Sequence, residues 1–285
     1  MKLAFNSITL GGGLPYFLDD KTKGLSGELN NISIKIPRTD YSKNIADYLD
    51  PKIRVFTGTF VGSDQEDFRS KKRDLVNMLR KSFLFTLTDD YVNNDGSTTV
   101  HETYEFTGKI IDFDCNLELR SNMGRYRLQV FCEDPLLYLT TPVTDECEVK
   151  PRGFTFPLFF PFVFTGRDNV MILDNTGEVD VYPTITIHGG GRNFEIVNET
   201  SDLSNKVFRY NASLNGIQEL VLTPNVTEAV KARVGGISVV RNTNSNWEAL
   251  KLKPGQNVLT FFLEEGTATA ETLASISFKP AFLGI

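Results

Sequence analysis

One segment of this chain has helical periodicity, and nearly everything else alternates with a period of two. That contrast limits the fold more than any other feature. The helical segment opens with Ser63-Asp64-Gln65-Glu66, which reads as a capping box: Ser63 at the N-cap and Glu66 three residues on. Behind it Phe68, Leu75, Val76, Leu79 and Phe83 fall on one helical face. Arg69, Lys71, Lys72, Arg73, Arg80 and Lys81 lie mostly away from that face. The expectation is a helix that packs one side on a sheet and turns a basic side outward.

The rest reads as strands. Ile32, Ile34 and Ile36 alternate with polar residues, and Ile53 to Phe60 is a short β-prone run. Tyr104 to Leu119 and Arg125 to Phe131 flank the turn-forming Ser121-Asn122-Met123-Gly124, the pattern of a long hairpin. In the second half Val179, Val181, Ile185 and Ile187 pattern as strand around Pro183. Later strands are expected at Ile217–Leu222, Gly236–Val240, Trp247–Leu252, Asn257–Leu263 and Thr272–Lys279, with turn formers between them at sandwich-like intervals. Asp89 to Thr99 (DDYVNNDGSTT) reads as the tip of a protruding hairpin or an exposed loop. The fold class expected is therefore mainly β with one α-helix.

Charge and length bound the function classes. The chain has 285 residues and a net charge of −6. An acidic chain does not neutralise phosphates in bulk, which argues against a general nucleic-acid binder and an anionic membrane surface. Charged residues at 23% and aromatics at 11% argue for a folded chain. Three cysteines, Cys115, Cys132 and Cys147, are too few and odd in number for a disulfide framework. The start, MKLAFNSITLGGG, has no sustained apolar stretch and is read as lacking a signal peptide. The most apolar run, Phe154 to Phe164 (FTFPLFFPFVF), is broken by Pro157 and Pro161 and too short to span a bilayer. It reads as an extended segment at a domain junction.

No catalytic constellation stands out. His101 and His188 are the only histidines, and no Cys-x-x-Cys occurs, so the pattern offers no zinc or iron site. Gly11-Gly12-Gly13 and Gly189-Gly190-Gly191 lack the sequence context of a phosphate loop. The acidic pairs Asp19-Asp20, Asp89-Asp90 and Glu264-Glu265, and Asp112 with Asp114 on one strand face, read as solvated carboxylates. The expectation is no catalytic residue, no metal and no cofactor. Arg69, Lys72 and Arg73 on the helix, with Asp90, Tyr91, Asn93 and Asn94 at the hairpin tip, are the candidate contacts for self-association. Trp247, the single tryptophan, is a candidate ligand-stacking residue, weighed against a place in the core beside Leu250 and Leu252.

Several motifs resemble a known family. The stretches are Gly153 with FTFPLFFPFVF; Asn175-Thr-Gly177 with Tyr182-Pro183-Thr-Ile185-Thr-Ile187-His-Gly189; and Trp247-Glu-Ala-Leu250-Lys-Leu252-Lys-Pro254-Gly255-Gln-Asn257. Weaker ones are Gly58-Thr-Phe60-Val-Gly62-Ser63 and Cys132-Glu-Asp134-Pro135-Leu-Leu-Tyr138. In order and spacing they are similar to the distal tail (Dit) proteins of long non-contractile-tailed bacteriophages. The resemblance implies an N-terminal ring-forming β-rich domain with a helix and a projecting hairpin over residues 1–145. It implies an extended aromatic and proline junction over 146–165 and a galectin-like β-sandwich over 166–285. It further implies a hexameric ring, without enzymatic activity, at the virion tail tip, made in the bacterial host cytoplasm. Its partners would be the tail tube protein, the tail-associated protein and receptor-binding or baseplate proteins. DNA would pass the lumen without specific binding, and no membrane is involved. The alternative is a carbohydrate-binding module that adheres to cell-wall polysaccharide through the C-terminal sandwich; a glycan hydrolase comes third.

Overall fold

Alternating apolar residues bury one face of a strand and leave the other to water. The computed structural model of the protein shows how those faces are covered. It describes residues 2–6, 8–11, 16–18, 29–35, 42–49, 51–79, 81–92, 99–118, 122–151, 169–224, 230–264 and 272–283. The chain is mainly β and divides into two compact units, residues 1–140 with 282–285, and residues 141–281. The aromatic segment Phe154–Phe164 lies outside the described residues.

In the first unit the strands are β1 (Lys2–Phe5), β2 (Ile8–Leu10), β3 (Tyr16–Leu18), β4 (Leu29–Lys35), β5 (Ser42–Leu49) and β6 (Lys52–Val61). Then come the helix α1 (Gln65–Val76), β7 (Ser82–Val92), β8 (Thr99–Glu118), β9 (Met123–Cys132) and β10 (Leu137–Leu139). The sheet runs β2-β1-β7-β8-β9-β6-β3, with β10 also on β8; β4 and β5 pair as a separate ribbon. The two ends of the sheet meet where Gly11 N–H donates to the Tyr16 carbonyl at 2.9 Å, so the sheet is nearly closed. Inside it lie Phe56, Phe60, Phe85, Phe106, Leu128 and Val130, all essentially inaccessible to water. Phe85 and Phe106 stack with centroids 5.0 Å apart.

The helix departs from expectation at both ends. Asp64 is the N-cap, not Ser63. Its Oδ1 accepts from the N–H groups of Glu66 at 2.9 Å and Asp67 at 2.8 Å. Asp67 Oδ2 reaches back to Ser63 N–H at 2.8 Å. The return bond of Asp67 thus goes to the residue before the cap and not to Asp64 itself; both carboxylates also favour the positive helix end. At the other end α1 stops at Val76, which is 39% exposed. Phe83 belongs to β7 and reaches the core as a strand residue.

In the second unit the strands are β11 (Val143–Glu148), β12 (Lys150–Pro151), β13 (Val170–Asn175), β14 (Thr184–His188), β15 (Gly191–Asn198) and β16 (Val207–Leu214). They continue as β17 (Glu219–Leu222), β18 (Ala232–Val234), β19 (Ile237–Ser238), β20 (Gly255–Leu263) and β21 (Leu273–Phe278). One sheet runs β11-β21-β14-β17-β18-β19; the other runs β12-β20-β15-β16, with β13 on β20. Each buries one face: Ile185, Ile187, Leu220, Ala274 and Ile276 in the first, and Met171, Phe194, Ile196, Phe208, Leu259 and Phe261 in the second. The unit is a β-sandwich.

Three strand expectations are corrected here. Trp247–Leu250 is a short 3-10 turn, and Leu252 makes a single bridge to Val181. Asn246 takes the turn's entry: its carbonyl accepts from Ala249 N–H, and its amide donates to the carbonyls of Asn205 and Val207 at 3.0 Å. Chain coiling, not alternation, buries Ala249, Leu250 and Leu252. The strand expected from Ile217 starts at Glu219, and the one expected over Gly236–Val240 is only Ile237–Ser238. Pro183 directly precedes β14, which is where a residue without an N–H fits a central strand.

Candidate assembly surface

The helix is held by two anchors seven residues apart, Phe68 and Leu75, both buried. Phe68 stacks on Phe60 of β6 with centroids 4.3 Å apart and rings 13° from parallel. Gly62 makes this approach feasible, since a Cβ there would sit 2.8 Å from Phe68 Cβ. On the outer side Lys71 pairs with Asp67 at 2.6 Å. That bond and the Ser63 N–H hold the Asp67 carboxyl below the usual carboxylate range. Arg69 and Arg73 are exposed and Lys72 half-buried; among the described residues none of the three forms an ion pair. Lys72 lies close enough to β8 to favour the Cys115 thiolate, against the burial that raises that thiol. The helix thus presents a cationic face, as its sequence implied.

The hairpin of β7 and β8 extends past its neighbours. Strand β1 meets β7 at Thr86, Leu87 and Thr88, and β10 meets β8 at Tyr104 and Glu105. Beyond them the register continues through Asp89–Glu102, Asp90–His101, Tyr91–Val100 and Val92–Thr99, and among the described strands no third one pairs with this stretch. Asp90 and Tyr91 lie in this extension; Asn93 and Asn94 lie outside the described residues. The helix enters β7 at Ser82, so about 27 Å of strand separates that entry from Asp90. Arg69, Lys72 and Arg73 are therefore not brought together with Asp90 and Tyr91. The helix lies toward one end of β7 and this pair toward the other.

Trp247 is half-buried. Its ring lies 4.9 Å from Phe208, and Lys231 Nζ approaches it at 5.9 Å. Beside it Tyr182 donates to Glu248 at 2.5 Å, which together with burial pushes the Tyr182 hydroxyl well up. Tyr210, another aromatic in this half, is buried.

The three cysteines are free and buried. His188 faces Glu219 across β14 and β17 at 3.1 Å. Asp112 and Asp114 are exposed, and Asp112 accepts from Gln129 at 2.8 Å. Among the described residues no group of three or more His, Cys, Asp or Glu is placed to hold a metal ion, and no helix is long and apolar enough to cross a membrane.

The motif residues singled out in the sequence are structural locks. Asn175 Oδ1 accepts from Gly177 N–H at 3.1 Å, and its amide donates to the Val179 carbonyl at 3.0 Å. Gly177 packs so tightly that a Cβ would be 2.5 Å from the Ala281 carbonyl. Gly255 has a φ of +88°, as the Pro254-Gly255 turn requires, and the Asn257 side chain closes that turn onto Lys253 and Gly255. Asp134 accepts from Leu136 N–H and Tyr138 O–H, at 3.0 and 2.7 Å. Sequence reading missed Arg54, which is fully buried. Its guanidinium lies 4.9 Å from the Phe106 ring centroid. The signal was there: Arg54 shares the inward phase of Phe56, Gly58 and Phe60 on β6.

No protein-family model matches the chain, and no curated protein matches it. Among solved structures the chain is similar to the Dit protein of phage SPP1, described as a paradigm of the hub adsorption apparatus in phages that infect Gram-positive bacteria. The likeness covers 98% of each chain at 15% identity with a TM-score of 0.60. The phage p2 baseplate in its activated conformation gives fainter likenesses. With calcium the TM-score is 0.43 at 9% identity, covering 97% of this chain and 96% of that one. With strontium it is 0.41 at 10% identity, covering 98% and 97%. The chain has the Dit fold.

Proposed function

We propose that the protein is a structural component of a phage tail tip, a distal-tail hub with no catalytic step of its own. The observation that supports this most is the end-to-end match of its fold to a hub protein, 98% of both chains at a TM-score of 0.60. A match of that extent includes both units and not one common β-module.

The finer reading is a homohexameric ring that joins the tail tube protein to the tail-associated protein and to baseplate or receptor-binding proteins. The ring would be built by a domain spanning residues 1–145, with 146–165 as junction and 166–285 as the outer sandwich. Such a ring needs a head-to-tail contact, in which two different patches of one copy meet two neighbours. The cationic side of α1 (Arg69, Lys72, Arg73) and the hairpin extension with Asp90 and Tyr91 would supply two such patches toward opposite ends of β7; Asn93 and Asn94 would belong with the second. DNA would pass through the lumen unheld, in keeping with the net charge of −6. The protein would be made in the bacterial cytoplasm and reside in the virion tail.

Sedimentation of the purified chain tests the ring. The expected mass is that of six copies, falling when Arg69 and Arg73 are both changed to Glu while the unfolding curve stays in place. A monomer at every concentration, with or without tail tube protein, contradicts it.

A further inference from the structure

We propose that Asn215 is a site of spontaneous backbone-assisted deamidation. Asn215-Gly216 is the single Asn-Gly step in the sequence. It lies in the turn from β16 to β17 and is exposed. Two bonds hold the turn, both to the main chain of Asn215: its N–H donates to Gln218 Oε1 at 3.0 Å, and its carbonyl accepts from Gln218 N–H at 3.0 Å. Neither the Asn215 side-chain amide nor the Gly216 N–H has a partner among the described residues. A Cβ built on Gly216 would find nothing within 4 Å, so there is room for a five-membered ring and no side chain to hinder it.

Four other asparagines in this unit lack that freedom. Asn175, Asn198 and Asn257 are buried, with both amide atoms hydrogen-bonded. Asn244 precedes a small residue, Ser245, but its Oδ1 accepts from Arg209 N–H at 3.1 Å and its amide donates to Val207 at 3.0 Å. Those bonds fix each carboxamide away from the following nitrogen.

The step balances with water alone. The Gly216 nitrogen, losing its proton to solvent base, attacks Asn215 Cγ; the Cγ–Nδ2 bond breaks and ammonia leaves. Water then opens the cyclic imide at either carbonyl, giving aspartate or isoaspartate. The product adds a carboxylate to the turn that carries Ile217, a residue 96% exposed. An apolar tip becomes a charged one with age.

The test is peptide mapping of the full chain held in mildly alkaline buffer, with a synthetic peptide of residues 213–219 in the same tube as a clock. The expected result is that the Asn215 peptide, alone among asparagine peptides of the described segments, gains the hydroxyl-for-amino mass difference. It then separates into two species of equal mass. Gly216→Ala, which the open surroundings accommodate, slows this by an order of magnitude. An unchanged Asn215 in folded protein while the free peptide converts overturns the proposal, as does equal conversion in Gly216→Ala.

Discussion

The guanidinium of Arg54, wholly buried, donates through Nη2 to the main-chain carbonyl of Pro135 at 2.5 Å. An inward charge on a central strand thereby clips the Asp134-Pro135 turn to the first unit. Burial lowers the affinity of Arg54 for its proton, and the nearby Cys132 and Asp134 work against that. Replacing Arg54 by Met keeps the apolar stem but orphans the Pro135 carbonyl. The expected loss is about 1–3 kcal/mol, the cost of one buried unmatched acceptor. In urea the first unit's midpoint should fall with unchanged slope; an unmoved midpoint would mean that the bond is incidental.

Gly58 is required by a close crossing. Tyr126 O–H donates to the Phe17 carbonyl at 2.8 Å, directly over Gly58. A Cβ there would be 2.0 Å from Phe17 O and 2.5 Å from the Tyr126 hydroxyl. Gly58→Ala should therefore cost about 3 kcal/mol or more by overpacking and by breaking that bond. Gly216→Ala should leave stability unchanged. Comparable thermal midpoints for the two variants would refute this.

Asn257, 1% exposed, makes three bonds that close the Pro254-Gly255 turn. Asn257→Ala strips the partners of two carbonyls and of the Lys253 N–H at once. A loss of about 2–3 kcal/mol is expected in the second unit. Calorimetry should show that unit's transition moving down and the other staying put.

Cys147 sets an alkaline limit. Burial, then the charges of Asp145, Glu146 and Glu148, push its thiol up from an ordinary 9.0 to about 12. The folded state holds this proton more tightly than the unfolded chain does. Its contribution to stability is complete below pH 9.0 and is lost as pH rises toward about 12. Cys147→Ala should lose less stability than the parent between those limits. Parallel pH profiles for the two proteins would remove this cause.

Much of the architecture was legible because period-two alternation is enforced wherever one face is buried. The β8–β9 hairpin was readable from alternation and from Asn122, which adopts a φ of +48° in the turn. So was the helix, since Phe68 and Leu75 recur at its period. What alternation could not convey is chain coiling that buries residues without a strand. Trp247 to Leu252 is the instance: apolar residues lie at strand spacing, yet asparagine side chains capture the backbone. Nor did it give the helix start to the residue, because Ser63 and Asp64 are both good caps and only geometry selects the carboxylate. The candidate assembly surface was legible in part. Charge placed Arg69, Lys72 and Arg73 on an outer face. That the hairpin extension lies a strand's length away from them depends on register, which no local pattern encodes.

The central claim is that this chain is an assembly component that closes on copies of itself. Negative-stain imaging of the purified protein bears on it most directly. The account predicts ring-shaped particles with six-fold symmetry and an open centre, lost together with the cationic helix face in the Arg69→Glu, Arg73→Glu variant. Fields of isolated single-copy particles, unchanged by raising the concentration or by adding tail tube protein, would contradict it.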